Sequence, residues 1–171
     1  RAARRPKFTL SPDDSSCAPD VSISVIIPAR NEASNIEACL RSALGQDHPS
    51  VQVVALNDAS TDGTGEILDK LAAEEDKLHA LHGGGSPLPD GWFGKPWALQ
   101  RAQKEAVGDW LAFIDADVKL PPAALSRAVG YAERNDLQMV TGLGELVMLT
   151  FWEKVLQPAV GGLIIAGNSL T

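Results

Sequence analysis

Apolar, β-branched runs alternate with helical patterns along most of this chain, and no other feature limits its fold so tightly. Ile23-Ser24-Val25-Ile26-Ile27 is a near-continuous run that ends at Pro28. Val51 to Leu56, Leu78 to Leu81 and Trp110 to Ile114 are the next three. Between and after them lie stretches whose apolar residues recur at helical spacing. These are 34–45 with Ile36, Leu40, Ala43 and Leu44, 62–75 with Ile67, Leu68 and Leu71, 96–106, and 122–134 with Leu125, Ala128, Val129 and Ala132. Ser34 with Glu37 offers a capping box for the first helix. Leu137 to Val140 starts a further extended stretch, and 145–150 reads as another. Strands this apolar need cover on both sides, so the pattern predicts an α/β fold, its sheet mostly parallel with helices on both faces.

Charge and cysteines bound the function. The net charge of -7 argues against a general nucleic-acid binder. Arg1, Arg4, Arg5 and Lys7 nevertheless open the chain with a basic cluster. That cluster reads as a solvated tail or as a segment on the cytoplasmic side of a membrane helix. Pro6, Ser11, Pro12, Ser15, Ser16 and Pro19 make residues 1–20 linker-like. Cys17 and Cys39 are too few for a disulfide scaffold and fit a reducing compartment.

In a parallel α/β sheet, ligands bind beyond the carboxyl ends of the strands. Pro28-Ala29-Arg30-Asn31-Glu32 follows the first run, Asn57-Asp58-Ala59-Ser60-Thr61-Asp62-Gly63-Thr64 the second, and Asp115-Ala116-Asp117 the fourth. Each alone is readable as a turn or helix cap. Three on one rim are harder to explain that way, because clustered like charges need a cation or donors to offset them.

No G-x-G-x-x-G follows the first strand and no G-x-x-x-x-G-K-[ST] exists, so a dinucleotide fold and a phosphate loop are excluded. Gly83-Gly84-Gly85 reads as a hinge. The residues favour a nucleotide whose base and ribose are read by carboxylates and whose phosphates are held through a metal. Asp115-x-Asp117 suits Mg²⁺ or Mn²⁺, which take one or two protein carboxylates with phosphate oxygens and waters.

Together, Pro28…Asn31-Glu32, Asn57 to Thr64, Gly94-Lys95 and Asp115-Ala116-Asp117 resemble the family 2 glycosyltransferases of GT-A fold, over about Val21 to Pro121. The resemblance implies an inverting transfer of a sugar from a nucleoside diphosphate, a UDP-sugar first, with a divalent metal. It implies that Pro28 and Glu32 line the nucleoside pocket, that Asp58 bonds the base edge, and that Lys95 sits near the diphosphate. It also implies that Asp115 lies by the ribose or metal and that Asp117 is a metal ligand. Asn57 stands where the family often has Asp. Leu88-Pro89-Asp90-Gly91-Trp92-Phe93-Gly94-Lys95-Pro96-Trp97-Ala98 is similar to the subgroup of hopanoid-associated and carotenoid glycosyltransferases, membrane-associated enzymes with lipid-like acceptors. That implies a lipid-like or polysaccharide acceptor and work at the cytoplasmic face of the cell membrane. Trp92, Phe93 and Trp97 read either as a mobile lid or as anchors of the loop in the core.

On this reading 1–20 is a linker, 21–150 the nucleotide-sugar-binding domain and 151–171 the start of an apolar acceptor- or membrane-side region. An inverting transfer needs a general base. Past Asp117, Glu133 and Asp136 look like solvated charges, and Glu145 and Glu153 lack a fitting context, so the base is expected beyond Thr171 and the fold is expected to be truncated. Two rivals are a sugar nucleotidyltransferase, which lacks its Gly-rich, Arg-containing motif here, and a non-catalytic nucleotide-sugar binding module.

Overall fold

The computed structural model describes residues 16–83 and 88–142, and the elements below all lie in one compact unit ending at Val140. In chain order they are β1 (Ile23–Ala29), α1 (Ile36–Leu44), β2 (Val51–Asp58), α2 (Thr64–Glu74), β3 (Leu78–Gly83), α3 (Gly94–Ala102) with a 3-10 turn at Gln103–Glu105, β4 (Trp110–Phe113) and α4 (Ala124–Arg134). The four strands form one sheet in the order β3-β2-β1-β4, every pair parallel. Order reverses beside β1, and this is where such sheets open a crevice.

The expected α/β layering is present. Alternate residues of β1 and β2 serve opposite cores. Ile23, Val25, Ile27, Val51, Val53 and Ala55 pack with Ile36, Leu40, Leu68, Leu71, Leu125 and Val129, which puts α1, α2 and α4 on one face. Ile26, Val54 and Leu56 pack with Ala98 and Ala102 of α3 on the other. Burying Ile36 and Leu40 completely contributes about 1.5–3 kcal/mol each. On the α3 face, Leu111 and Phe113 of β4 are 36% and 50% exposed.

Several boundaries differ from the sequence reading. β1 does not stop at Pro28 but runs on to Ala29. Trp110 and Ile114 donate their N–H groups to Ser22 O and Ile26 O, so even-numbered residues of β1 direct their backbone groups toward β4. The nitrogen of Pro28 faces that side, where the β4 pairing ends at Phe113, so a residue without an N–H is tolerated there. β2 and β3 each extend two residues past their apolar runs, pairing Asn57 with His82 and Asp58 with Gly83. α3 starts at Gly94, with Pro96 tolerated in its first turn.

The Ser34–Glu37 capping box does not form. Glu32 O caps α1 by accepting the N–H groups of Asn35 and Ile36, and Glu37 instead bonds Arg41 Nε at 2.9 Å, one turn on. No strand forms over Leu137–Val140. α4 closes there, with Asp136 at φ 51° and Leu137 N–H donating to Ala132 O, a Schellman-type ending. In α4 the inward residues are Leu125, Ser126, Val129, Gly130 and Ala132, with Ala128 half-buried. The expectations for 1–15, for Gly84 and Gly85, for 145–150, for Glu145 and Glu153 and for 151–171 lie outside the described residues.

Candidate functional site

The rim is assembled from three strand ends. Past Ala29, the chain turns through Asn31 at φ 57° and Glu32. Past Asp58 it turns through Ala59 at φ 55°, a left-handed conformation that strains a non-glycine residue. These two turns hold each other. Asn31 N–H donates to Ser60 Oγ at 3.0 Å, Glu32 N–H to Thr64 Oγ1 at 2.9 Å, and Ala33 N–H to Asp62 Oδ2 at 3.0 Å. In return, Thr61 N–H donates to Asn31 Oδ1 at 2.9 Å. Thr64 Oγ1–H donates to Asp62 Oδ1 at 2.6 Å, and this bond, then that from Ala33 N–H, holds the Asp62 carboxyl below its ordinary range.

Pro28 and Glu32 therefore lie on one wall of the rim, both half-buried, with Glu32 Oε2 accepting from Asn35 Nδ2 at 3.0 Å. Asp58 lies beside them at the end of β2. Its carboxylate is bracketed by two glycines. A Cβ at Gly83 would stand 3.4 Å from Asp58 Oδ1, and one at Gly94 would stand 3.7 Å from Oδ2. Neither glycine lays a side chain against the carboxylate, and Asp58 is half-buried. Arg101 Nη1 would be 3.0 Å from the same Gly83 Cβ, so α3 also brings a guanidinium to this side of Asp58.

The third strand end carries Asp115 and Asp117, exposed on either side of the buried Ala116. A tight turn with Val118 N–H donating to Asp115 O at 3.1 Å sets that alternation. Lys95, from the first turn of α3, places Nζ 2.6 Å from Asp115 Oδ1, and both side chains are more than half exposed. The structure thus joins Lys95 to the Asp pair, which the sequence separates by twenty residues. Cys39 lies beneath, fully buried, with Sγ–H donating to Asp115 O at 3.5 Å. Burial first, then the nearby charges of Asp117, Glu32 and Asp115, pushes its thiol up to about 12.

Among the described residues, no group of three His, Cys, Asp or Glu side chains forms a metal cage. Asp115 and Asp117 fit a different kind of site. They are hard oxygen donors open to solvent, with room for phosphate oxygens and waters to complete the coordination of Mg²⁺ or Mn²⁺.

The aromatics before α3 do not anchor in the core. Phe93 is 77% exposed, and Trp92 meets Trp97 edge-on with ring centroids 5.2 Å apart. Glu133 and Asp136 are exposed at the end of α4, as the solvated-charge reading expects. Sequence reasoning missed Cys39 as a support for the Asp pair, Arg101 beside Asp58, and His82, whose Nδ1 lies 3.4 Å from Asn57 Nδ2.

Comparison with known proteins places this geometry. The family model described as Glycosyl transferase family 2 matches residues 24–159. The 4,4'-diaponeurosporenoate glycosyltransferase of Staphylococcus haemolyticus is 37% identical over 99 residues, 58% of this chain and 25% of that protein. The mannosyltransferase PcManGT from Pyrobaculum calidifontis, solved in complex with GDP-Man and Mn2+, aligns with TM-score 0.56 and 29% identity over 71% of this chain and 36% of its own. S. aureus TarS 1-349 in complex with UDP aligns with TM-score 0.56 and 26% identity over 74% of this chain and 38% of its own. These neighbours have the GT-A fold. The chain spans between 20% and 38% of the length of the curated relatives it matches.

Proposed function

The chain belongs to glycosyl transferase family 2, and from that premise we propose that it is the donor-binding part of an inverting transferase that takes a sugar from a nucleoside diphosphate, UDP first. The observation that carries the reading is the meeting of Lys95 with Asp115 beside Asp117, on the rim that also holds Asp58 and Glu32. One cation and a carboxylate pair at a strand end suit a metal-bound diphosphate, and a recessed carboxylate between two glycines suits the N–H edge of a base.

Pro28 and Glu32 line the nucleoside pocket. Asp58 accepts from the base edge. Asp115 and Asp117 would hold Mg²⁺ or Mn²⁺, with Asp115 also within the reach of a ribose hydroxyl. Such a metal, when bound, neutralises charge building on the departing diphosphate. Lys95 adds a second positive group there once it leaves Asp115 for a phosphate oxygen. The Mn2+ bound with GDP-Man in the mannosyltransferase structure and the UDP bound in the TarS structure support this assignment.

For the acceptor we favour a lipid-like molecule, with polysaccharide the second choice. The carotenoid-type relative and the exposed Trp92 and Phe93 near the site support it. We place the work at the cytoplasmic membrane face, on the strength of the basic cluster Arg1, Arg4, Arg5 and Lys7. Among the described residues, no helix is long and apolar enough to cross a membrane.

Calorimetry tests the donor site. UDP affinity is expected to rise at least tenfold (about 1.4 kcal/mol) when Mn²⁺ is added, and Asp117→Ala is expected to remove that gain. Equal affinity with and without Mn²⁺, unchanged by the substitution, would overturn the assignment.

A further inference from the structure

A line of polar side chains runs from the outer edge of the sheet into the rim, and His82 sits in its middle. Asp69 of α2 lies 2.8 Å from His82 Nε2. His82 Nδ1 lies 3.4 Å from Asn57 Nδ2, and Asn57 Oδ1 accepts from Ser60 N–H at 3.0 Å. Ser60 Oγ then accepts from Asn31 N–H. A Cβ at Gly65 would stand 2.8 Å from Asn57 Nδ2 and 3.7 Å from His82 Cε1, so only glycine on this turn of α2 leaves space for the Asn57–His82 pair.

Donor and acceptor chemistry fixes the directions. A carboxylate only accepts, so Nε2 carries a proton toward Asp69. In the neutral ring Nδ1 is then an acceptor, and it takes a bond from the Asn57 amide nitrogen. That turns the amide oxygen toward Ser60 N–H. A proton added to Nδ1 would face the amide nitrogen, donor against donor. The amide would either lose that contact or flip and present its nitrogen to Ser60 N–H. The groups facing the ring are Asp69 and Gly65 of α2 and Asn57 of β2, while Arg101 of α3 reaches the backbone oxygen of His82 at 3.5 Å.

Resting on the donor-site reading above, we propose that His82 is a positioning residue for the donor rim, which in its neutral form sets the Asn57 amide and through it the Ser60–Asn31 contact. Protonation of His82 therefore loosens the turn that carries Asp58. Asn57→Asp removes that dependence. One carboxylate oxygen keeps Ser60 N–H while the other accepts from the protonated Nδ1.

The test uses the 171-residue chain and its Asn57→Asp variant, read from about pH 8 to about pH 5.5. NMR exchange of the Ser60 amide is read without nucleotide, and UDP affinity is read with Mn²⁺. Ser60 protection is expected to fall with pH in the natural chain and to hold in Asn57→Asp. The natural chain's UDP affinity is expected to fall about fivefold relative to the variant's, the size of one hydrogen bond. Changes in the nucleotide's own protonation are common to both and cancel in the ratio. His82→Phe is expected to show low Ser60 protection at every pH. A Ser60 amide indifferent to pH and to His82→Phe, or parallel affinity curves for the two chains, would overturn the proposal. Absence of UDP binding at every pH would overturn the donor-site reading itself, and the Ser60 amide would still decide whether His82 sets the Asn57 amide.

Discussion

At the ends of β1 and β2 the two loops hold each other with their own side chains, whereas at the end of β4 the chain is held from behind by a helix. Ser60, Asp62 and Thr64 spend their oxygens on the backbone of residues 31–33, and Asn31 spends its own on Thr61. The segment after β4 is tied through its backbone instead. Cys39 Sγ–H donates to Asp115 O, Ser42 Oγ accepts Leu120 N–H at 3.0 Å, and Gln46 Nε2 donates to Pro121 O at 2.9 Å. These three side chains lie at helical spacing along α1 and the residues just past it. The first arrangement consumes polar side chains to fix a shape. The second fixes the backbone and leaves the Asp115 and Asp117 carboxylates for a ligand, with Lys95 their one cationic partner among the described residues. On the proposed reading, the wall offered to the base edge is prebuilt, and the part offered to the diphosphate keeps its charges available.

The sharpest way to break this contrast is Thr64→Val. Thr64 is fully buried, and its hydroxyl both accepts from Glu32 N–H and donates to Asp62. Losing it strands a backbone donor, and a fall in unfolding free energy of about 1–3 kcal/mol is expected in urea titrations. Cys39→Ala, on the other half, removes a weak S–H donor and a little volume, and about 1 kcal/mol is expected. If Cys39→Ala costs more than Thr64→Val, the helix-backed segment, not the interlocked loops, is the stiffer half.

Much of this was readable in advance. Period-3.6 patterns locate four helices because each helix meets a sheet face, and the apolar runs locate four strands because both faces of the sheet are covered. Asp115-Ala116-Asp117 is legible as a rim motif because it directly follows an apolar strand. What escaped has a physical cause in each case. Asn57, Asp58, His82 and Gly83 extend β2 and β3, but strands at the rim are paired through backbone and need no apolar signal. Pro28 looked like a stop because proline lacks an N–H, and only the register shows that it stands on the side where the β4 pairing has ended. Cys39 supports Asp115 across a separation of 76 residues, a contact that no local pattern encodes. His82 carries no motif at all. Its meaning comes from the pair partner the parallel register assigns to it.

Acid probes the interlocked loops directly. The Thr64 and Ala33 bonds hold the Asp62 carboxyl below its ordinary value of 3.8, so the unfolded chain takes up that proton first. The stabilisation from Asp62 is complete above that pH and is lost as the pH falls through the lower folded value. In an NMR titration, the Ala33 amide is expected to stay put down to about pH 4 and to move only below it. Movement beginning well above that point would mean that Asp62 is not the group that grips the β1 turn.

The smallest expected change in stability comes from Lys95→Ala, and it separates stability from function within the helix-backed half. Lys95 and Asp115 are 59% and 60% exposed, so their 2.6 Å contact is bathed in solvent and screened by salt. Removing it is expected to alter unfolding free energy by no more than about 0.5 kcal/mol. Binding should respond differently in two ways at once. Without nucleotide, Asp115 loses a competing cation, so Mn²⁺ alone should bind slightly more tightly. With UDP, the diphosphate loses its positive partner, so the UDP–Mn²⁺ complex should bind several-fold more weakly. Both shifts can be read by calorimetry on the same variant. A fall in stability comparable to that of Thr64→Val would show that Lys95 locks the rim as the Ser60–Thr64 turn does, and the division between a fixed wall and free charges would not hold.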